Sequence, residues 1–254
     1  MRYKNTNIFY TSQGTGNPLV LLHGFLESGN IWKDFLKDYS GNRQMITIDL
    51  PGHGKSGVIG NIHTMEEMAE AIHHVLQELN LKKADFIGHS MGGYVSLAFL
   101  EKYPDIVRKI VLLNSTPAAD SQERKENRER AINLVQRNKE GFVTMAISNL
   151  LSSESHQKLQ PELNTIKAEA LQFPTEGITA ALEGMKIRKD RTSVLSRFKG
   201  EKLILAGEQD PILNHKEIKI LAKKTESKFH SFPGGHLTHL ENKKEFLRLM
   251  YLME

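Results

Sequence analysis

Five residues, Gly88-His89-Ser90-Met91-Gly92, join an apolar run, Ala84-Asp85-Phe86-Ile87, to a helix-like run from Tyr94 to Tyr103. They fit G-x-S-x-G, the pattern of a serine held on a sharp, strained strand-to-helix turn. Such a turn keeps the serine backbone at positive φ and pushes its hydroxyl outward, and glycine is needed where a Cβ would clash, at Gly88 and Gly92. Gly93 extends the same requirement into the first helical turn. The first amides of a helix have no intrahelical acceptor. The Met91 N–H therefore points at any anion forming beside Ser90, which supplies one half of an oxyanion hole.

A glycine-rich strand-to-helix turn also serves as a plain packing device, so partners for the serine must decide its role. An acid and then a histidine should follow in chain order, each just after a strand. Lys202-Leu203-Ile204-Leu205-Ala206 reads as a buried strand, and Asp210 lies in the loop after it, before Pro211. Lys228-Phe229-His230-Ser231-Phe232 alternates like a strand and runs into Pro233-Gly234-Gly235-His236. His236 is the expected base and Asp210 the group that orients it, with Glu208 and Asp120 as rival acids and His239 as the rival histidine.

Four motifs together resemble the α/β-hydrolase superfamily, from about Asn7 to the end of the chain. They are Leu21-Leu22-His23-Gly24-Phe25, the stretch from Asp49 to Ser56, the Ser90 turn, and the stretch from Gly235 to Glu241. The resemblance implies a mostly parallel central sheet flanked by helices, with a helical cap inserted in it. It also implies a Ser90, Asp210 and His236 triad, a second oxyanion donor from the Phe25 N–H opposite Met91, and a pocket floor shaped by Asp49 to Ser56. Candidate pocket residues are His23, His89, Tyr94 and Met145. The motif string is similar to carboxylesterases of the pimeloyl-carrier-protein methyl esterase type. The scheme needs no metal or cofactor, and the partner it calls for is a small-molecule ester.

With 254 residues, 39% of them hydrophobic and 25% charged, the chain can bury one sizeable core with an insertion. It has no cysteine, which removes disulfides, thiolate metal sites and a cysteine nucleophile together. The formal charge of +4 is scattered, without the basic stripe that nucleic acid requires. No apolar run approaches the roughly 20 residues that cross a bilayer, so neither membrane insertion nor export is expected and a cytoplasmic location is.

Strands are expected at Asn7 to Thr11, Leu19 to Leu22, Met45 to Ile48, Ala84 to Ile87, Lys109 to Leu113, Lys202 to Ala206 and Lys228 to Phe232, with an edge strand over Met1 to Lys4. Helices are expected at Ile31 to Tyr39, Thr64 to Leu79 and Met91 to Tyr103, the second opened by a capping box of Thr64 with Glu67. From Ser115 to Thr192 the pattern is helix after helix. Residues 1–114 and 193–254 are thus assigned to the core, and 115–192 to a cap that governs substrate choice. Phe142, Met145, Ala146 and Leu150 mark an apolar helical face in it.

Other features have plain readings. The run Glu123 to Arg130 alternates acid and base and is expected to be a solvated helix face, with anion or carrier-protein docking as the alternative. His53, His63, His73, His74, His156, His215 and His230 lack metal-ligand spacing. A serine rather than an aspartate at the elbow argues against dehalogenase and epoxide-hydrolase chemistry. The leading expectation is cleavage of a carboxylic ester of a small or medium acyl group through an acyl-enzyme. The alternatives are perhydrolysis, an elimination like that of the menaquinone-pathway synthase (2-succinyl-6-hydroxy-2,4-cyclohexadiene-1-carboxylate synthase), or a hydrolase-fold ligand receptor. Against the synthase, Tyr94 stands where its pattern has arginine, although Arg124 or Arg128 could bind a carboxylate.

Overall fold

The computed structural model describes residues 1–39 and 42–252. Its strands are β1 Arg2–Tyr3, β2 Thr6–Asn7, β3 Tyr10–Gln13, β4 Asn17–Leu22, β5 Arg43–Ile48, β6 Ala84–His89, β7 Val107–Leu113, β8 Glu201–Gly207 and β9 Lys228–Phe232. Seven of them form one sheet in the order β3-β5-β4-β6-β7-β8-β9. Only the β3–β5 pair is antiparallel. Near-continuous apolar runs such as Leu19 to Leu22 and Leu203 to Ala206 fit this arrangement, because a parallel sheet is buried on both faces.

The helices are α1 Lys33–Asp38, α2 Met65–Glu78, α3 Met91–Lys102, α4 Gln122–Arg137, α5 Lys139–Ser148, α6 Gln160–Ala170, α7 Thr175–Lys186, α8 Thr192–Arg197, α9 His215–Lys224, α10 Thr238–Glu241 and α11 Lys243–Tyr251. Side chains alternate along the strands and build two cores. Val20, Leu22, Phe86, Ile110 and Ile204 meet α2 and α3 on one face, and Leu19, Leu21, Ile87, Val111 and Leu205 meet Trp32, Phe35 and Phe246 on the other. Helix α3 is buried at every position from Met91 to Leu100, which explains its apolar composition all the way round.

Chain order reverses at β4, which has β5 on one side and β6 on the other. The carboxyl ends of these strands open a crevice at this switch point, where ligands of parallel α/β sheets bind. Ser90 directly follows β6, and His23 directly follows β4.

Some boundaries differ from the sequence reading. The expected strand over Asn7 to Thr11 is split: Asn7 pairs with Arg2 in a small hairpin apart from the main sheet, and the sheet strand starts at Tyr10. The Met1 to Lys4 strand belongs to that hairpin and is not an edge of the sheet. The helix expected from Ile31 opens as a 3-10 turn, Gly29–Trp32. The Thr64 hydroxyl caps the Glu67 N–H at 3.1 Å, while the Glu67 carboxylate pairs with Lys4 rather than closing the box. Between β7 and β8 the described residues form helices and no strand.

Candidate active site

Ser90 has φ 49° and ψ −114°, a backbone that L-residues rarely adopt. The turn is tight enough that a Cβ on Gly92 would lie 2.6 Å from the Leu22 carbonyl oxygen, and one on Gly88 would press into the Gly92 carbonyl. The Ser90 N–H donates to the Leu113 carbonyl at 2.9 Å, and the Ser115 hydroxyl donates to the Ser90 carbonyl at 2.7 Å, fixing the strained residue from the neighbouring strand. Its hydroxyl stands 2.9 Å from Nε2 of His236.

His236 Nδ1 lies 2.8 and 3.0 Å from the two carboxylate oxygens of Asp210. A carboxylate only accepts, so Nδ1 carries the proton and Nε2 faces the serine as an acceptor. Burial opposes ionisation of Asp210, but His236 and then the Asn114 amide outweigh it and lower its pKa. Asn114 Nδ2 donates to Asp210 and to the Gly235 carbonyl, at 3.0 Å each, and its oxygen accepts from Thr238 at 2.6 Å. The His236 loop is also held by its own N–H, which donates to the Leu150 carbonyl at 2.8 Å. Of the rival acids, Glu208 is exposed and Asp120 is bound to arginines.

A second buried pair lies beneath the serine. His89 Nδ1 is 2.9 Å from Glu27, and its Nε2 is 2.9 Å from the His236 carbonyl. Both partners only accept, so both ring nitrogens donate and His89 is an imidazolium. Burial works against that charge, but Glu27 outweighs it and raises the His89 pKa, while burial of Glu27 is outweighed by His89 and its pKa falls to about 2. Glu27 also accepts from the Gly24 N–H at 2.6 Å. One carboxylate thus ties together the loop after β4, the Ser90 turn and the His236 loop.

Ser90 and His236 open into a cavity of about 290 Å³, whose walls include Phe25, Tyr94, Phe142, Leu182 and Met185. A larger depression of about 580 Å³ elsewhere, lined by Lys33, Asp49, Lys55 and Glu169 among others, includes neither Ser90 nor His236. Of the expected pocket residues only Tyr94 lines the cavity. His23 is buried, accepting from the Leu50 N–H at 2.9 Å, and His89 is committed to Glu27. Met145 is 49% exposed on the outer face of α5. The Asp49 to Ser56 loop does not line the cavity either: Asp49, Gly54 and Lys55 line the larger depression, and Asp49 accepts from the Gly29 and Lys55 N–H groups at 2.7 and 2.8 Å. His239 is buried against Trp32 and His89. Phe25 and Met91, the expected oxyanion donors, follow β4 and β6 across the same crevice.

Glu27 and Asn114 were not singled out from the sequence. Each stands within a few residues of the carboxyl end of a parallel strand, the position that signals a site in such sheets. Among the described residues no cluster of His, Asp and Glu side chains has the makings of a metal site, and no helix is long and apolar enough to cross a membrane.

The model of the alpha/beta hydrolase fold matches residues 17–243. The chain belongs to the α/β-hydrolase superfamily. A thermophilic esterase of Thermogutta terrifontis, solved with malate bound, superposes with a TM-score of 0.92 at 32% identity, over 98% of this chain and 93% of that one. The (E)-2-((N-methylformamido)methylene)succinate hydrolase of Acinetobacter baylyi is 30% identical over 110 residues, 43% of this chain and 42% of that protein. An acetyltransferase component of the acetoin cleaving system of Pseudomonas putida is 30% identical over 239 residues, 89% of this chain and 60% of that protein. The chain thus spans less than two thirds of the length of these two curated relatives.

Proposed function

We propose that this chain is a serine hydrolase that cleaves carboxylic esters through an acyl-enzyme at Ser90. The observation that carries the reading is the hydrogen-bonded line from Ser90 through His236 to Asp210, with Ser90 and His236 lining a largely apolar cavity. In this reading Ser90 Oγ attacks the ester carbonyl carbon while His236 Nε2 takes its proton. The carbonyl oxygen becomes an oxyanion held by the Phe25 and Met91 N–H groups, each such donor contributing about 3 kcal/mol in comparable sites. The tetrahedral adduct collapses, and the departing alcohol takes the proton from His236. Water, deprotonated by the same nitrogen, then attacks the acyl carbonyl carbon, and His236 returns that proton to Ser90 Oγ as the Oγ–acyl bond breaks and the acid leaves. Asp210 holds the ring and stabilises the imidazolium.

Residues 115–192 act in this reading as a cap over residues 1–114 and 193–254; 40, 41, 253 and 254 lie outside the described residues. Support comes from Arg124, Asn127, Phe142, Ala146 and Met185, which reach the cavity from that segment.

The test is steady-state hydrolysis of p-nitrophenyl esters from acetyl to dodecanoyl, with Ser90→Ala in parallel. Turnover should peak at one chain length and fall by several orders of magnitude in the variant, since members of a triad act as a unit. A folded protein with no turnover on any ester, or a variant keeping more than about one tenth of the rate, would overturn the reading. A burst of one equivalent followed by a stall would mark a receptor.

A further inference from the structure

The roof of the Ser90 cavity carries more positive charge than its own protein neutralises. Arg124, Asn127 and Arg128 of α4 all line the cavity. Spaced i, i+3 and i+4, they share one helix face. Beneath them Asp120, with a fully buried side chain, lies 3.1 Å from Arg128 Nε, 2.6 Å from Arg188 Nη1 and 3.6 Å from Arg124 Nε. Three guanidiniums therefore share one carboxylate. Burial of Asp120 is outweighed by Arg128 and Arg188, which lower its pKa and keep it charged.

The three arginines are not equivalent. Arg188 is fully engaged: it donates to the Ala118 and Met185 carbonyls, lies 4.0 Å over the Tyr94 ring, and its side chain is 2% exposed. Arg124 gives one terminal nitrogen to the Ile212 carbonyl at 3.1 Å. Arg128 uses Nε on Asp120, and its terminal nitrogens meet no acceptor among the described residues. A face that served solubility alone would turn its charges to water, but the Arg128 side chain is only 18% exposed. The other anions near the cavity are already engaged, Glu27 by the His89 imidazolium and Asp210 by hydrogen bonds from His236 and Asn114. Much of the rest of the cavity wall is apolar, with Phe142, Ala146, Leu182 and Met185.

We propose that the substrate of this site carries a carboxylate at the end remote from the bond cleaved, held by Arg128 and Arg124 with the Asn127 amide beside them. A planar guanidinium matches a carboxylate with two parallel hydrogen bonds, and the surrounding apolar wall strengthens them. The Glu123 to Arg130 run is then a solvated face on one side and an anion clamp on the other. This inference rests on the hydrolase reading and narrows it to half-esters of dicarboxylic acids, or esters with an equivalent remote anion.

The experiment compares mono-p-nitrophenyl esters of glutaric and adipic acid with neutral p-nitrophenyl esters of the same chain length. The expected wild-type ratio of kcat/KM, acid over neutral, is about tenfold or more, the scale of a hydrogen bond between charged groups. That ratio should fall toward one in Arg128→Gln, fall less in Arg128→Lys, and shrink with added salt. Should Arg128→Gln fail to fold, inhibition of neutral-ester hydrolysis in the wild type replaces it, with glutarate monoamide, which keeps one carboxylate, expected to bind at least about tenfold tighter than the uncharged diamide. Neutral esters turned over with a ratio of one or less would overturn this inference and leave the hydrolase reading standing. No turnover on either ester would overturn both.

Discussion

Buried neutral histidines should make this protein labile to mild acid. Burial lowers the pKa of His53 to about 3, with His23 adding to the effect, and burial lowers His63 to about 4. His239 falls to about 3 through burial and the charge of His89. All three stay neutral in the folded protein at pH 5, while in the unfolded chain each titrates at its ordinary value of 6.5. Below that value the unfolded state binds the extra protons, so stability is complete above it and falls as pH drops toward the folded values.

Going from pH 6.5 to pH 5, each histidine then costs about 1.6 kcal/mol, and the three together about 5 kcal/mol. That is comparable to the whole stability of many domains. The carboxylates lowered by their partners, Asp120, Asp210 and Glu27, lose stability only as pH falls below their unfolded values of 3.8 to 4.5 and so contribute little slope here. His89 is raised; its stabilisation is nearly complete below 6.5 and is lost only as pH climbs through its folded value. Urea unfolding at pH 6.5, 6.0, 5.5 and 5.0 measures the slope, and His53→Asn should reduce it by up to about one third whatever that variant does to absolute stability, since burial also lowers His23 and His73 and these add slope of the same sign. A free energy flat within about 1 kcal/mol across this window would refute the reasoning, because the one histidine shifted the other way, His89, cannot offset three.

Two further outcomes follow from the buried network. Glu27→Gln leaves the His89 imidazolium without its counter-ion, and breaking a buried pair in this way costs about 3 to 5 kcal/mol. Thermal unfolding should drop by roughly 10 °C, and kcat should fall as well, because the same carboxylate steadies Gly24 next to the Phe25 amide. An unchanged melting temperature would show that Glu27 and His89 do not form an ion pair. Asn114 has φ 45°, which aspartate tolerates, so Asn114→Asp keeps the backbone while replacing a donor to Asp210 with a second negative charge. We expect kcat/KM at pH 7 to fall by about tenfold or more with KM little altered, the scale of one pKa unit of interaction. Equal activity would remove Asn114 from the group that positions Asp210.

What was legible in the sequence is what local rules dictate. The Ser90 turn needs glycine at fixed offsets, and buried parallel strands need unbroken apolar runs, so both are written within a few residues. The pocket walls are not. His89 immediately precedes Ser90, but neighbouring positions at a strand end point apart, which turns its ring beneath the serine toward Glu27. Met145 fits a helical spacing with Phe142, yet the buried face of α5 is set by Phe142, Val143 and Ile147. At 100° per residue Met145 lies about 130° around the helix from the middle of that face, hence outside.

The contacts that align the catalytic candidates are all distant in sequence: Glu27 to His89, His89 to the His236 carbonyl, and Asn114 to Asp210. None has a local signature, because together they exist only when β4, β6, β7, β8 and β9 lie in register and their carboxyl ends meet. The three candidate residues can therefore be named from chain order, while their geometry is a property of the folded sheet. A one-residue slip of β6 against β4 would turn its alternating side chains to the wrong face and carry Ser90 out of reach of His236. The buried Glu27–His89 pair resists such a slip, since in any other register it would leave a charge without its partner.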